Sequence, residues 1–330
     1  MLLCFERKYM NMAKEKKNKI SLFSKLSILI CFFVCTNYAV STAQRLDTLT
    51  YFAPVTIDEV VIRASENGFD IKDFIQRIKE DTTFYKAFRS MHLVTYNAEN
   101  DILVFEKKGN KVKASLDSET KQIYRDGCRT MSVLEEKVTG DFYNKKKEYN
   151  YYTAELYANL FFTKGKVCGE DNIVKNRLEH TGKGSMEKNK AKLKQLMFNP
   201  GSRISGIPFM GNKSAIFDPE IAKMYDFRLG IESKNGVDCY VFEATPKKEY
   251  LSDVVYKQFK TWFRQSDYSI VARDYALSYN TAAYDFDVKI HVDLIQKGKY
   301  LLPSYISYKG NWFAFTKGRE RVNFAAKFDY

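Results

Sequence analysis

The strand predicted at residues 284–296 carries the side chains that come nearest to a catalytic set. His291 lies on the polar face of that strand, and Asp287 and Asp293 share the face with it. A histidine between carboxylates can act as a general base or as a metal ligand. The polar side of an antiparallel sheet usually faces solvent, however, and no nucleophile is placed near this histidine. We therefore predict no catalytic role here, and a hydrolase that uses His291 with Asp287 stays as an alternative.

A second segment with residues capable of chemistry is GSRISGIPFMG at 201–211, which contains Ser202 and Ser205. Its glycine spacing matches neither a nucleophile elbow nor a phosphate-binding loop, and it lacks the Gly-Lys-Ser/Thr end of the latter. The chain has 3 histidines and no His/Cys cluster, which argues against a zinc enzyme. The sequence therefore predicts a protein that is not an enzyme, with no cofactor and no bound metal.

Arg273 interrupts the more apolar face of another predicted strand. That face of residues 268–279 carries Val271, Arg273, Tyr275, Leu277 and Tyr279. A charged side chain among aromatic ones must find a partner or a water-filled space. We predict that Arg273 lines a cavity and pairs with the anionic head of a ligand. The alternatives are an internal carboxylate partner, or a side chain that reaches solvent at the sheet edge.

The apolar faces of this strand and of two later ones supply the other predicted ligand-binding residues. With Arg273, the candidate lining is Tyr275, Tyr279, Phe286, Ile290, Phe324 and Phe328. Each of these six can equally be an ordinary core residue, which is the alternative for every one of them.

Strict alternation of apolar and polar residues shows which elements hold these side chains. Even positions from 284 to 294 are apolar and odd positions are polar, and residues 322–330 repeat the alternation. Such strands have one buried and one wet face. Asn235-Gly236 predicts a tight hairpin, and Lys297-Gly298, Lys309-Gly310 and Lys317-Gly318 predict further turns. Gaps long enough for parallel crossovers are missing, so the sheet is a meander.

The first half of the chain predicts helices and shorter strands. Residues 70–79 and 152–162 have helical apolar spacing, and residues 97–101 and 107–110 are predicted as hairpin turns. The expected fold class is α+β: a large curved antiparallel sheet (an incomplete barrel) with helices packed on its concave apolar face. We expect one curved-sheet domain over residues 70–330, with a basic loop and helix excursion at 164–226.

The N-terminus has the pattern of a secretory signal peptide over residues 1–43. Lysines precede the apolar stretch LSILICFFV at 26–34, which is too short to span a bilayer, and Ser41-Thr42-Ala43 fits a cleavage site. A membrane anchor is the alternative. Residues 44–69 are then an N-terminal extension with a short strand. We expect export to the periplasm, and an association with the outer membrane as a finer possibility.

Charge and cysteine content agree with an exported protein. The 330 residues contain 53 Lys and Arg against 40 Asp and Glu, a net charge of +13. Such a balance suits an anionic membrane surface, although plain solubility explains it equally well. Nucleic acid is not an expected partner, because an exported chain rarely meets it. Beyond the leader, Cys128, Cys168 and Cys239 allow one disulfide and one thiol, and all three pairings stay open.

Two stretches of the second half carry a family resemblance. GVDCYVFEATPKK at 236–248 and LLPSYISYKG at 301–310, within a wide meander, resemble the lipoprotein-carrier superfamily with the LolA/LolB-like fold. That resemblance implies an incomplete barrel whose hollow is plugged by helices and holds acyl chains. It also implies that Arg273 matches an inward-facing arginine of such carriers. The excursion at 164–226 departs from the family. The whole chain also resembles exported proteins of Bacteroidota-type Gram-negative bacteria. DEVVI at 58–62 is similar to a short segment near the N-terminus of many of their outer-membrane receptors, and a plain edge strand explains it equally well.

These observations favour an exported, non-catalytic protein that binds a lipid or a lipoprotein acyl group in the hollow of its sheet. An anionic membrane surface or an envelope protein is a further partner that the charge allows. The alternative is a structural or assembly protein of the envelope, with a filled core and a partner-binding surface.

Overall fold

The computed structural model describes residues 53–55, 71–174, 213–281, 284–314 and 318–330, all within the unit Thr50–Tyr330. The predicted leader, most of the extension at 44–69 and the central part of the excursion lie outside the described residues. The segment at 201–211, with Ser202 and Ser205, also lies outside them. No helix within the described ranges is long and apolar enough to cross a membrane.

One antiparallel sheet of 12 strands dominates the structure, so the predicted α+β class is confirmed. The strands are β1 (Ala53–Val55), β2 (Tyr96–Phe105), β3 (Val112–Arg125), β4 (Cys128–Thr139), β5 (Val167–Cys168), β6 (Tyr225–Lys234), β7 (Val237–Pro246), β8 (Tyr256–Arg264), β9 (Ile270–Asn280), β10 (Tyr284–Lys297), β11 (Tyr300–Ala314) and β12 (Gly318–Asp329). Their spatial order is β1-β6-β7-β8-β9-β10-β11-β12-β2-β3-β4-β5. The sheet is open, with β1 and β5 at its edges. The C-terminal strand β12 pairs with β2 and thereby joins the two halves of the chain.

Four α-helices accompany the sheet within the described residues. They are α1 (Ile71–Glu80), α2 (Thr83–Ser90), α3 (Tyr152–Phe161) and the short α4 (Pro219–Ala222). α1 to α3 bury aromatic side chains against the apolar face of the sheet, including Phe74, Phe84 and Tyr157. The alternation predicted for β10 is confirmed, since Val288, Ile290 and Val292 are buried in this core.

Two predicted turns are wrong, because each lies inside a strand. Residues 97–101 belong to β2, and the buried polar side chain of Asn100 on its apolar face is what disguised the alternation. Lys309-Gly310 lies in the middle of β11. There the Tyr308 ring covers Gly310 so closely that an added Cβ would lie 2.2 Å from its hydroxyl oxygen. The same ring stacks on Phe324, with centroids 4.7 Å apart. Glycine is therefore required here by ring packing and not by a turn.

A disulfide joins Cys128 of β4 to Cys168 of β5. It resolves the pairing that the sequence left open, and Cys239 is the buried free thiol. Burial raises the pKa of the Cys239 thiol, so it stays protonated at neutral pH.

Candidate functional site

Aromatic contacts hold α1 and α2 on the apolar face of the sheet. The Phe74 ring of α1 lies 5.1 Å from Phe263 and 5.7 Å from Tyr268, measured between centroids. The Phe84 ring of α2 lies 6.4 Å from Tyr275 in an edge-on arrangement. Edge-on and tilted rings of this kind add a modest stabilisation to the burial of apolar area.

Arg273 lies beneath the junction of α1 and α2 and is almost fully buried. Its Nε donates a hydrogen bond of 2.9 Å to the hydroxyl of Thr261, and its guanidinium lies 3.4 Å from the carboxylate of Asp81. The guanidinium carbon also lies 4.3 Å from the ring centroid of Phe84 and 5.2 Å from that of Phe259. Burial lowers the pKa of Arg273 and the Asp81 carboxylate opposes that shift. The partner of this arginine within the structure is thus an internal carboxylate.

The other six predicted lining residues share the apolar face with Arg273. Tyr275, Tyr279 and Ile290 are buried in one core with Phe324 and Phe328, and Phe286 is partly buried against it. α3 covers part of this set. Its Tyr157 ring lies 4.8 Å from Phe324, and its Phe161 ring lies 5.9 Å from Phe328. The structure therefore brings the predicted residues together on one face and places the helices of the chain itself in front of them.

Polar contacts fix α3 to the sheet more firmly than aromatic packing alone would. The buried hydroxyl of Tyr157 donates a 2.6 Å hydrogen bond to Oδ1 of Asn100. At the start of α3, the Glu320 carboxylate accepts hydrogen bonds of 2.8 Å and 3.0 Å from the backbone N–H groups of Tyr152 and Thr153. A carboxylate in this position satisfies orphan donors and complements the helix dipole.

Between α1 and α2 on one side and the ends of the sheet strands on the other lies a groove of about 760 Å³. This volume is within the range of small-molecule sites. Its apolar and aromatic lining includes Phe74, Phe263, Tyr268, Tyr300 and Leu301. We call this site the helix–sheet groove. Asp81, the partner of Arg273, also lines it, so the groove adjoins the face that carries the predicted residues.

Three cations surround the helix–sheet groove. Arg77 comes from α1, Lys86 from α2 and Lys299 from the turn between β10 and β11. The Arg77 guanidinium lies 5.5 Å from the ring centroid of Tyr268, and the Lys299 ammonium lies 5.1 Å from that of Tyr300. The groove thus combines an aromatic lining with positive charge on both of its sides.

Tyr268 adopts a left-handed backbone conformation, with φ of 58°. A non-glycine residue in this region is uncommon and costs about 1 kcal/mol or more. Its ring nevertheless stacks on Tyr240, with centroids 5.8 Å apart, and packs against Phe74. The side chain at this turn is therefore retained for its ring, although glycine would suit the backbone better.

The histidine cluster lies on the opposite face of the sheet. His291 Nε2 lies 3.0 Å from a carboxylate oxygen of Asp293, and Nδ1 is hydrogen bonded to Asp274 of the neighbouring strand β9. The partner across the strands is thus Asp274 and not the predicted Asp287. The hydrogen bonds to Asp274 and Asp293 raise the pKa of His291 to about 9. A ring that is protonated at neutral pH is a poor general base, because both nitrogens already carry protons.

Sequence reasoning missed Asp81, Tyr268 and the three groove cations. Asp81 follows α1 directly, so its position in the sequence is that of an ordinary residue at a helix end. Its partner Arg273 lies 192 residues further along the chain, and no local pattern links the two. Tyr268 sits in a turn, where an aromatic residue at a position that favours glycine is the one signal available.

No family model and no curated protein matches this chain. Solved structures that are similar to it include the following two. One is a domain assigned to outer membrane lipoprotein sorting from Vibrio parahaemolyticus, with a TM-score of 0.24 and 11% identity, covering 74% of this chain and 89% of that chain. The other is a DUF1329 family protein from Desulfovibrio piger, with a TM-score of 0.23 and 11% identity, covering 74% of this chain and 90% of that chain. A likeness at this level carries no argument about this chain.

Proposed function

We propose that this protein is an exported, non-catalytic binder of a lipid or lipoprotein acyl chain. The observation that carries the proposal is the helix–sheet groove, which opens beside a broad apolar sheet face. Burial of an acyl chain there removes apolar surface from water, which contributes about 0.8 kcal/mol per methylene. A chain of moderate length can therefore bind without any covalent or metal chemistry.

None of the seven predicted lining residues is among the described residues that line the groove, and in this proposal Arg273 and Tyr275 form a second wall behind it. Asp81 separates the groove from Arg273, and Phe84 covers Tyr275. α1 and α2 contact the sheet through aromatic rings and the Asp81–Arg273 pair, and α2 also binds the loop at 169–174, where Arg89 pairs with Asp171. α3 is bound to the sheet itself by the Tyr157–Asn100 hydrogen bond and the Glu320 contacts. A ligand longer than the groove would therefore have to move α1 and α2, together with the loop that binds Arg89, away from the sheet and would leave α3 in place.

The direct test is native mass spectrometry of the protein recovered from its own envelope. We expect a bound lipid of defined mass that organic extraction removes. The extracted protein should then bind dodecyl maltoside. Calorimetric titration below the micellar concentration of this detergent would measure that binding. Protein that is repeatedly free of lipid and that also fails to bind the alkyl probe would contradict the proposal.

A pair of variants locates the ligand. Gln296 lines the groove, and Lys289 lies on the same strand β10 with its side chain exposed on the polar face. Gln296→Trp should fill the groove and weaken binding of the probe at least tenfold, while Lys289→Trp should leave it unchanged. Equal binding by both variants would place the ligand elsewhere.

The second candidate is an envelope structural or assembly protein, and two observations favour it. The rings of Tyr157 and Phe161 in α3 pack directly against Phe324 and Phe328. Within the described residues, β5 pairs only with Cys128 and Arg129 of β4, which leaves the rest of that edge without a strand neighbour. Open strand edges can accept a strand from another chain. Failure of all alkyl probes, with correct folding, would favour this candidate.

A further inference from the structure

The helix–sheet groove has a distinctive charge arrangement. Three of its acidic residues already have partners within the protein. Asp81 pairs with Arg273, Asp267 pairs with Arg264 at 3.1 Å, and Glu80 accepts a hydrogen bond from Gln76. Asp81 and Asp267 are thus paired with cations, which weakens their repulsion of an anion, whereas Glu80 is exposed and keeps its negative charge.

The two lysines of the groove differ from these acidic residues, because they have no ion-pair partner within the described residues. Within the part of the chain that the structure describes, Lys86 and Lys299 have no carboxylate within ion-pair distance. They come from opposite sides of the groove, one from α2 and the other from the turn between β10 and β11. Solvated lysines are common on protein surfaces, but here two of them, with Arg77, surround an opening lined by aromatic rings.

From this arrangement we infer that the helix–sheet groove binds an anionic amphiphile, with its acidic head between Lys86 and Lys299 and its alkyl chain against the aromatic lining. This inference rests on the proposed function and adds the chemical class of the head group. A carboxylate or phosphate head would receive charge-assisted hydrogen bonds from both ammonium groups. The alkyl chain would pass over Tyr300 and Tyr268 toward Phe74.

The left-handed backbone conformation of Tyr268 is a second observation at the same groove. Its left-handed conformation holds an aromatic ring in the groove where glycine would be less strained. Strained residues often lie at ligand sites, and here the strain occurs at a ring that stacks on Tyr240 and also lines the groove. The Arg77 guanidinium over the same ring adds positive charge to that side of the groove.

The test compares head groups on one alkyl chain. Calorimetric titrations of the full protein recovered from the envelope and extracted free of lipid would use dodecyl phosphate, dodecyl maltoside and inorganic phosphate. We expect dodecyl phosphate to bind at least tenfold more tightly than the maltoside, with a preference that shrinks as salt is raised. Inorganic phosphate alone should bind far more weakly than dodecyl phosphate, because it lacks the apolar chain.

Variants then assign the preference to the two lysines. Lys86→Gln with Lys299→Gln should weaken dodecyl phosphate binding about tenfold and leave the maltoside within twofold. Lys289 and Lys309 are a cross-strand pair of exposed lysines on the other face, so Lys289→Gln with Lys309→Gln is the matched control. Phosphate and maltoside probes that bind equally well would overturn the inference alone. If neither probe binds, the proposed function is overturned together with the inference. If both double variants weaken dodecyl phosphate binding equally, the preference for this probe comes from net charge and not from Lys86 and Lys299.

Discussion

The carboxylate of Asp81 lies 3.4 Å from the guanidinium of Arg273, and both side chains are shielded from solvent. This contact connects the residue between α1 and α2 to the middle of β9. A buried ion pair contributes little net stability compared with apolar packing, but removal of one partner leaves an uncompensated charge. We therefore expect the pair to fix the position of the two helices on the sheet more than it strengthens the fold.

Asp81→Asn should lower the free energy of unfolding by about 3 kcal/mol, because Arg273 then stays buried without a counter-charge. Asparagine keeps an oxygen that can accept the hydrogen bond from the Thr83 backbone N–H, so the start of α2 is preserved. Urea unfolding would measure the loss. The double variant Asp81→Asn, Arg273→Met should recover most of it, and losses that simply add would argue against direct coupling.

Tyr157→Phe should destabilise the protein by about 1–2 kcal/mol, because the buried oxygen of Asn100 loses its donor. Tyr143→Phe is a suitable control, since that hydroxyl donates to the exposed side chain of Glu136. The control should change the unfolding free energy by less than about 0.5 kcal/mol. Equal effects of the two variants in urea would show that Asn100 has another donor in the absence of the tyrosine.

His291 should make stability depend on pH above neutrality. Its pKa is raised from 6.5 to about 9 in the folded protein, mainly by Asp274 and then by Asp293. The folded state thus holds the proton more tightly, and this stabilisation is complete below pH 6.5 and is lost as pH rises through about 9. Partial exposure screens the pair, so we expect a loss of about 1–2 kcal/mol relative to His291→Gln.

The pKa of His92 is shifted in the opposite direction to that of His291. Burial, and then Arg129, lowers its pKa below 6.5, so the unfolded chain binds the proton more readily. His92 should therefore cost stability as pH falls below about 6.5. Urea unfolding of the wild type, His291→Gln and His92→Gln from below pH 6.5 to above pH 9 would separate the contributions of the two histidines to stability. A His291→Gln profile parallel to the wild type above neutrality would contradict the assignment.

Loss of the disulfide should lower the stability of the protein more than most of the other changes proposed here. Cys128 and Cys168 are 40 residues apart, and a loop of that length corresponds to about 4 kcal/mol of chain entropy in the unfolded state. Cys128→Ser with Cys168→Ser should lower the melting temperature, and a reductant should do the same to the wild type. Cys239→Ala, which removes the free thiol, should leave the response to reductant unchanged.

Local patterns predicted those parts of the fold that depend on neighbours in sequence. The alternation in β10 fixed which of its residues are buried, because side chains on a strand point to opposite faces in turn. The pattern failed in β2 at Asn100, where a polar residue is buried, and in β11 at Gly310, where a turn residue lies under a ring. In both places the environment comes from another element of the structure.

The sequence by itself determined the fold class, the apolar face of the sheet and the presence of three cysteines beyond the predicted leader. Each of these follows from composition or from short-range periodicity. Only the tertiary structure decided that Arg273 meets Asp81, that Cys128 pairs with Cys168, and that Lys86 and Lys299 share one groove. Those partners lie far apart in the chain, and a residue's own neighbours hold no information on which distant strand or helix the folded chain will place beside it.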